Sequence, residues 1–165
     1  MVLKNARLFD GEGNPWRWAD VGVERGRIVA VGRLGGAAGR EVFDLAGRAL
    51  CPGLIDVHVH LDAALLAGFD GAPLLAQGIT TVILGQDGLG YAPTTAKSLR
   101  YVVEYTAPIN APFETGAAAQ GLDVAGYLRR LDAGVAVNAA YLLPHGIIRH
   151  NVMGAENRPA TPDER

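Results

Sequence analysis

Two histidines sit two residues apart in the otherwise aliphatic stretch Pro52-Gly53-Leu54-Ile55-Asp56-Val57-His58-Val59-His60-Leu61-Asp62. This feature constrains the fold more than any other. Four of the six residues from Leu54 to Val59 are aliphatic, the composition of a strand covered on both faces, and such strands belong to parallel sheets flanked by helices. Strand side chains alternate between faces, so His58 and His60 are expected to project to one side. Two buried imidazoles at a strand's C-terminal end need a partner for their nitrogen lone pairs. A divalent metal meets that need. Core hydrogen bonding of both rings is the plainer alternative.

The residues before this strand read as short strands and turns. Residues 2–9 form a strand, closed by Asp10-Gly11-Glu12-Gly13-Asn14-Pro15. Residues 19–24 and 27–32 make a hairpin around Arg25-Gly26, with Val21 alternating with Val23 and Ile28 with Ala30. A Gly-rich loop over 32–39 follows, then an extended segment at 41–45 and the turn Ala46-Gly47-Arg48. This is half of a small β-sheet with no chemistry of its own, and Trp16 and Trp18 in its first connection are expected as packing anchors.

After Pro52 the rhythm becomes strand, helix, strand. A strand at 54–58 precedes a short helix at 72–77 that Gly78 ends. The β-branched run 79–84 is a second strand, a long loop spans 85–95, and a helix covers 96–106. Asp123 caps a helix at 124–133 whose apolar stripe is Val124, Tyr127, Leu128 and Leu131. Gly134 stops it, and a third strand at 136–143 ends at Pro144-His145-Gly146. Alternation of this kind implies parallel strands with helices outside. The fold class is therefore α/β, matching the first three βα units of a TIM-like (β/α)8 barrel. Working residues in such barrels lie at strand C-terminal ends, where His58, His60, Asp87 and His145 fall. Thr161-Pro162-Asp163-Glu164 is a helix start, with Thr as N-cap, Pro at N1 and Glu at N3. Residues 53–165 cover less than half of the roughly 250 that a closed barrel needs, so the chain reads as the truncated, N-terminal portion of a larger protein.

Charge narrows the partners. Fifteen basic and 17 acidic residues give a net charge of −2, with no Lys/Arg-rich run, so nucleic acid and anionic membranes are not expected. The N-terminus lacks the apolar core of a signal peptide, and no stretch has the apolar length of a membrane span; the expected compartment is the cytoplasm. One cysteine, Cys51, excludes an intrachain disulfide and is expected as a small buried apolar residue.

Six segments carry a family resemblance: "LKNARLFDGEG", "ADVGVERGRIVAVG", "CPGLIDVHVHLD", "QGITTVILGQDGLGYAP", "LDAGVAVNAAYLLPHGIIRHNVMG" and "RPATPDE". Together they resemble the amidohydrolase superfamily and, within it, the N-acyl-D-amino-acid deacylase (D-aminoacylase) group. The first three are general to amidohydrolases and the last three more specific to the deacylase branch. The resemblance implies a metal-bearing barrel plus a β-sandwich assembled from both chain ends. Residues 1–52 would then be the N-terminal part of the sandwich and 53–165 a partial barrel.

The resemblance also implies roles. His58 and His60 match the first-strand metal ligands. Asp87 stands where many D-aminoacylases carry a ligand cysteine in a "GNCG"-like loop; here the loop reads "GQDG". A carboxylate is a harder ligand than a thiolate, which weakens the preference for zinc without removing it; orienting substrate or a ligand is the alternative role for Asp87. His145 matches the histidine of an "HGxxR" segment at the site's wall, with Arg149 in register, and Asp62 is placed to support the site by hydrogen bonding. Asp56 is expected to cap or bridge neighbouring backbone. The implied reaction is metal-assisted hydrolysis of an N-acyl (D-)amino acid, with zinc as the cofactor. The family's proton-handling aspartate falls on a later strand, so no catalytic acid or base is assigned, and the isolated chain is expected to be inactive or nearly so. A complementary C-terminal chain or a second copy would cover its open edges.

Other readings remain beside this one. Dihydropyrimidinase-like or isoaspartyl-dipeptidase-like hydrolysis would use the same scaffold, and a non-catalytic fragment is the reading from another class. The run Gly85-Gln86-Asp87-Gly88-Leu89-Gly90 follows a strand like a phosphate loop, but lacks its Lys-Ser/Thr ending and carries an acid in its middle. Tyr91, Tyr101 and Tyr105 are expected to pack rather than to cage a substrate. Arg129 and Arg130 read as a solvated face.

Overall fold

The structure is a computed structural model that describes residues 1–36, 39–110, 116 and 120–165. Two residues of the expected Gly-rich loop, 37 and 38, lie outside the described residues. The chain divides into two compact units, Met1–Pro52 and Gly53–Arg165.

The first unit is a five-stranded sheet. Strands β1 (Val2–Leu8), β2 (Arg17–Glu24) and β3 (Arg27–Gly32) run antiparallel in the order β3-β2-β1. Two short strands, β4 (Val42–Asp44) and β5 (Ala49–Leu50), pair parallel with β1. The hairpin turns at Arg25 (φ 50) and Gly26 (φ 74), left-handed backbone that matches the twist of the strands it joins. Leu8, Ala19 and Val21 form its small core, with Leu3, Val23 and Leu50 against them. Trp16 and Trp18 are not core anchors. They stand largely exposed and pack edge-to-face on each other at 5.8 Å, with Arg7 over the Trp16 ring. Cys51 is exposed, not buried.

The second unit has three parallel strands, β6 (Leu54–Asp56), β7 (Ile79–Leu84) and β8 (Asn138–Tyr141), in that spatial order. Gly53 is required where β6 begins, because a Cβ there would lie 2.0 Å from the Thr80 hydroxyl. The central strand β7 supplies Val82 and Leu84 to a core completed by Tyr91, Leu99, Tyr127 and Ile147. Helix α3 (Ala96–Thr106) begins where expected, and its N-terminus is closed by Thr95 and Ser98 in a reciprocal capping box. Helix α4 (Val124–Asp132) is capped by Asp123, which accepts a hydrogen bond from the Gly126 N–H. On α4 Tyr127 and Leu131 are buried, whereas Leu128, expected in the stripe, is exposed.

Two helices escaped sequence reading. One is the five-residue Asp62–Leu66, too short to show a period; the other is His145–Met153, where Gly146 in the first turn masks a buried face of Ile147, His150 and Met153. In chain order they are α1 and α5, with Ala72–Ala76 as α2. Strand β6 is shorter than expected. Leu54, Ile55 and Val57 are exposed, because β6 is an edge of the sheet among the described residues. Thr161 and Glu164 form the expected capping box, over a single 3-10 turn, Pro162–Glu164. No helix among the described residues is long and apolar enough to cross a membrane.

Candidate metal centre

Because the three strands of the second unit are parallel, their C-terminal ends lie together and so do the loops that follow. His58 and His60 stand in the loop after β6, Asp87 in the turn after β7, and His145 opens α5 after β8. His58 and His60 lie beyond the end of β6, His58 in a bend and His60 in irregular backbone, so strand alternation does not set their direction. The bend is held by Asp56, whose Oδ1 accepts a hydrogen bond from the His58 N–H at 3.2 Å.

The two imidazoles nevertheless converge. His58 Nε2 lies 3.2 Å and His60 Nε2 3.1 Å from the same oxygen, Asp87 Oδ2. The ring centroids are 5.5 Å apart, and one ligand atom from each of the three residues lies within 4.8 Å of the others. The site is open. His58 and Asp87 side chains are 55% and 56% exposed, and His60 is 23% exposed, in contrast to the buried pair that composition suggests.

The Asp87 turn is shaped by close packing. Gly85 (φ 75), Asp87 (φ 57) and Gly88 (φ 74) all have left-handed backbone, which Asp tolerates better than most residues. A Cβ on Gly85 would meet the Leu142 carbonyl oxygen at 2.2 Å, and one on Gly88 would meet the Gly146 nitrogen at 2.9 Å. The turn is therefore seated against the end of β8 and the start of α5. Gln86, which sequence reading passed over, is buried here; its Nε2 donates to the carbonyls of Val57 (2.7 Å) and Ile83 (2.9 Å). A lone glutamine in a loop carries no signal of that kind.

Asp62 lies behind the cluster, 2% exposed. Its Oδ1 accepts a hydrogen bond from the Gly85 N–H at 3.2 Å, and the Tyr127 hydroxyl stands 3.5 Å away. Burial pushes the Asp62 carboxyl up to about 6, against the pull of its N–H donors and of His60 nearby. Burial beside Asp62 likewise raises the Tyr127 phenol, so that hydroxyl stays protonated.

His145 and Arg149 are not in the three-residue cluster. The backbone of His145 and Gly146 packs on the Asp87 turn through Gly88, while the His145 side chain lines a separate cavity of about 400 Å³ with Ile148, Arg149 and Met153. The Arg149 guanidinium donates to the carbonyls of Glu156 and Arg158 at 2.6 and 3.1 Å. Tyr91 is buried in the core, and Tyr101 stacks on His150 at 4.1 Å.

Residues 41–165 match the model of the amidohydrolase family. The chain belongs to that family. Among its relatives is the N-acyl-D-aspartate deacylase of Alcaligenes xylosoxydans xylosoxydans, 38% identical over 99% of this amidohydrolase chain but only 32% of the relative. The crystal structure of a D-aminoacylase superposes with a TM-score of 0.81 at 36% identity, over 99% of this chain and 33% of that one. N-acyl-D-glutamate deacylase from Bordetella bronchiseptica, solved with zinc and a phosphonate mimic of the tetrahedral intermediate, gives 0.79 at 33% identity, with 99% and 33% coverage. The chain thus spans about a third of the length of the curated relatives it matches.

Proposed function

We propose that His58, His60 and Asp87 hold a divalent metal ion, zinc first among candidates, and that the protein acts in hydrolysis of the amide bond of N-acyl-D-amino acids. One observation carries this reading: three ligand atoms from two loops converge within 4.8 Å in a chain similar along its length to such deacylases. The donor set fits the ion. Two imidazole nitrogens and a carboxylate oxygen suit zinc, and three protein donors leave a position free, as catalytic sites require. With both Nε2 atoms unprotonated, three electron-rich atoms face one another, and a cation relieves that repulsion. A divalent ion so held supplies water activation and carbonyl polarisation.

The chain's own groups do the rest. His58 and His60 present Nε2, and Asp87 adds negative charge while its half-exposed carboxylate leaves room for substrate. Asp62 supports the loops from behind, and the start of α5, whose Gly146 backbone packs on the Asp87 turn, is read as the wall of the site, with His145 and Arg149 outside the ligand cluster itself. Gly53–Arg165 corresponds on this reading to the first three βα units of a TIM-like barrel, and Met1–Pro52 to part of a β-sandwich. No group among the described residues is assigned as the general base. Similarity to enzymes named for N-acyl-D-aspartate and N-acyl-D-glutamate supports the substrate class.

Zinc or cobalt(II) titrated into the purified chain should bind one ion per chain, and His58→Ala, His60→Ala and Asp87→Ala should each weaken it. That loss should exceed the roughly 10- to 100-fold typical of outer-shell changes. The chain alone should show little or no hydrolysis of N-acetyl-D-amino acids, and whatever hydrolysis is seen should disappear on chelation and return with zinc. Metal binding that ignores all three substitutions, or hydrolysis that survives chelation, would overturn the reading.

A further inference from the structure

We propose that Gln86 is a positioning residue for the metal centre, clamping the turn that carries Asp87 to the loop that carries both histidines. The inference rests on reading His58, His60 and Asp87 as metal ligands. Those ligands come from loops 27 to 29 residues apart in sequence, so something other than chain connectivity must hold their spacing. Gln86 is next to Asp87 but its side chain turns inward, 8% exposed. Its amide nitrogen donates to Ile83 O, in β7 itself, and to Val57 O, the carbonyl immediately before His58. One planar group thus spans both loops and uses both of its N–H bonds to do so.

A second tie joins the same two segments through a side chain of the histidine segment. The Gly85 N–H donates to Asp62 Oδ1, and Asp62 lies two residues beyond His60. Val57 and Asp62 bracket the two histidines, while Gly85 and Gln86 lead into Asp87. The ligand-bearing segments are therefore fastened to each other on both sides of the imidazole pair. A buried amide is costly unless its hydrogens are paired, and an aliphatic side chain would fill the same space without that cost. What the amide adds is the link to the histidine loop. Without it, Asp87 Oδ2 and the two Nε2 atoms are freer to separate, and the ion has to bring them together at the expense of affinity.

The test is cobalt(II) binding to the purified chain, read by titration and by the visible bands that report ligand geometry. Gln86→Met keeps the volume and removes both donors. It should fold with an unchanged far-ultraviolet circular dichroism spectrum, bind cobalt about 10- to 100-fold more weakly, and show shifted bands. Gln86→Asn, with a shorter reach, should fall between the two. If the unsubstituted chain binds no cobalt, the metal-site reading itself fails. If it binds and Gln86→Met binds equally well with the same bands, only the clamp is overturned. If neither variant folds, Gln86 serves the fold alone, and the clamp is again overturned.

Discussion

The phenol of Tyr141 makes two hydrogen bonds to one residue: it accepts from the Ala92 N–H at 3.0 Å and donates to the Ala92 carbonyl at 2.5 Å. This pins the loop that follows Asp87 onto the end of β8. The fit is tight, since a Cβ on Gly90 would lie 2.4 Å from the Tyr141 hydroxyl. The geometry around Asp87 is thus a product of packing between the second and third strands, and its glycines are part of that packing.

Gly85→Ala should be among the costlier glycine substitutions. The left-handed backbone costs alanine about 1–2 kcal/mol, and overlap with the Leu142 carbonyl, 2.2 Å from the added Cβ, adds about 1–3 kcal/mol. Gly68 has φ 86 with nothing within 4 Å, so Gly68→Ala should lose only the first part. Urea denaturation of the two variants checks the order; equal losses would contradict the packing described.

Replacing Asp87 by cysteine puts a softer thiolate where a carboxylate stands. Competition titrations should show the preference for zinc over manganese(II) rising several-fold, with a small loss of stability because cysteine tolerates the φ 57 backbone less well than aspartate. An unchanged preference would mean that residue 87 does not touch the ion.

Helix α5 places two isoleucines side by side in unlike surroundings. Ile147 is 0% exposed and Ile148 36%. Ile147→Ala should cost about 2–5 kcal/mol and Ile148→Ala less than about 1 kcal/mol, as measured by denaturant unfolding. Similar costs would mean that α5 is turned differently about its axis.

Near the C-terminus, Arg158 holds the Glu164 carboxylate with two bonds of 2.7 Å, which with the Thr161 N–H lowers its pKa from 4.5 to about 2. A carboxyl lowered in the folded state contributes stability above its unfolded value of about 4.5, and that contribution is lost as pH falls through about 2. Carboxyl resonances followed by NMR should therefore show Glu164 titrating near 2, and Arg158→Ala should raise it towards the ordinary carboxylate range, the Thr161 N–H keeping part of the lowering. A Glu164 that titrates normally with Arg158 in place would show that the pair does not persist in solution.

Elements with local causes were readable in advance. The β-branched run at β7, the start of α3 after the loop that ends at Thr95, the Asp123 cap of α4, and the Thr161–Glu164 capping box depend on residues within a few positions of one another. The histidine pair stood out because two imidazoles among aliphatic residues are chemically conspicuous. Helices α1 and α5 were missed because one is too short for a period and the other begins with His145-Gly146. The expected burial of Leu54, Ile55 and the two histidines fails because it depends on what lies beside β6, and among the described residues β6 is a sheet edge.

The sequence by itself determined which residues carry metal-binding chemistry, the parallel strand-and-helix pattern that brings their loops to one end of a sheet, and the family resemblance. Only the tertiary structure decided that His58 and His60 meet at a single oxygen of Asp87, that Gln86 and Asp62 tie their loops together, and that Arg149 is engaged with the backbone of Glu156 and Arg158. The physical reason is range. Periodicity and capping are written within a few residues, whereas the ligand distances are set by side chains and carbonyls 23 to 29 residues apart, whose meeting depends on how three strands pack.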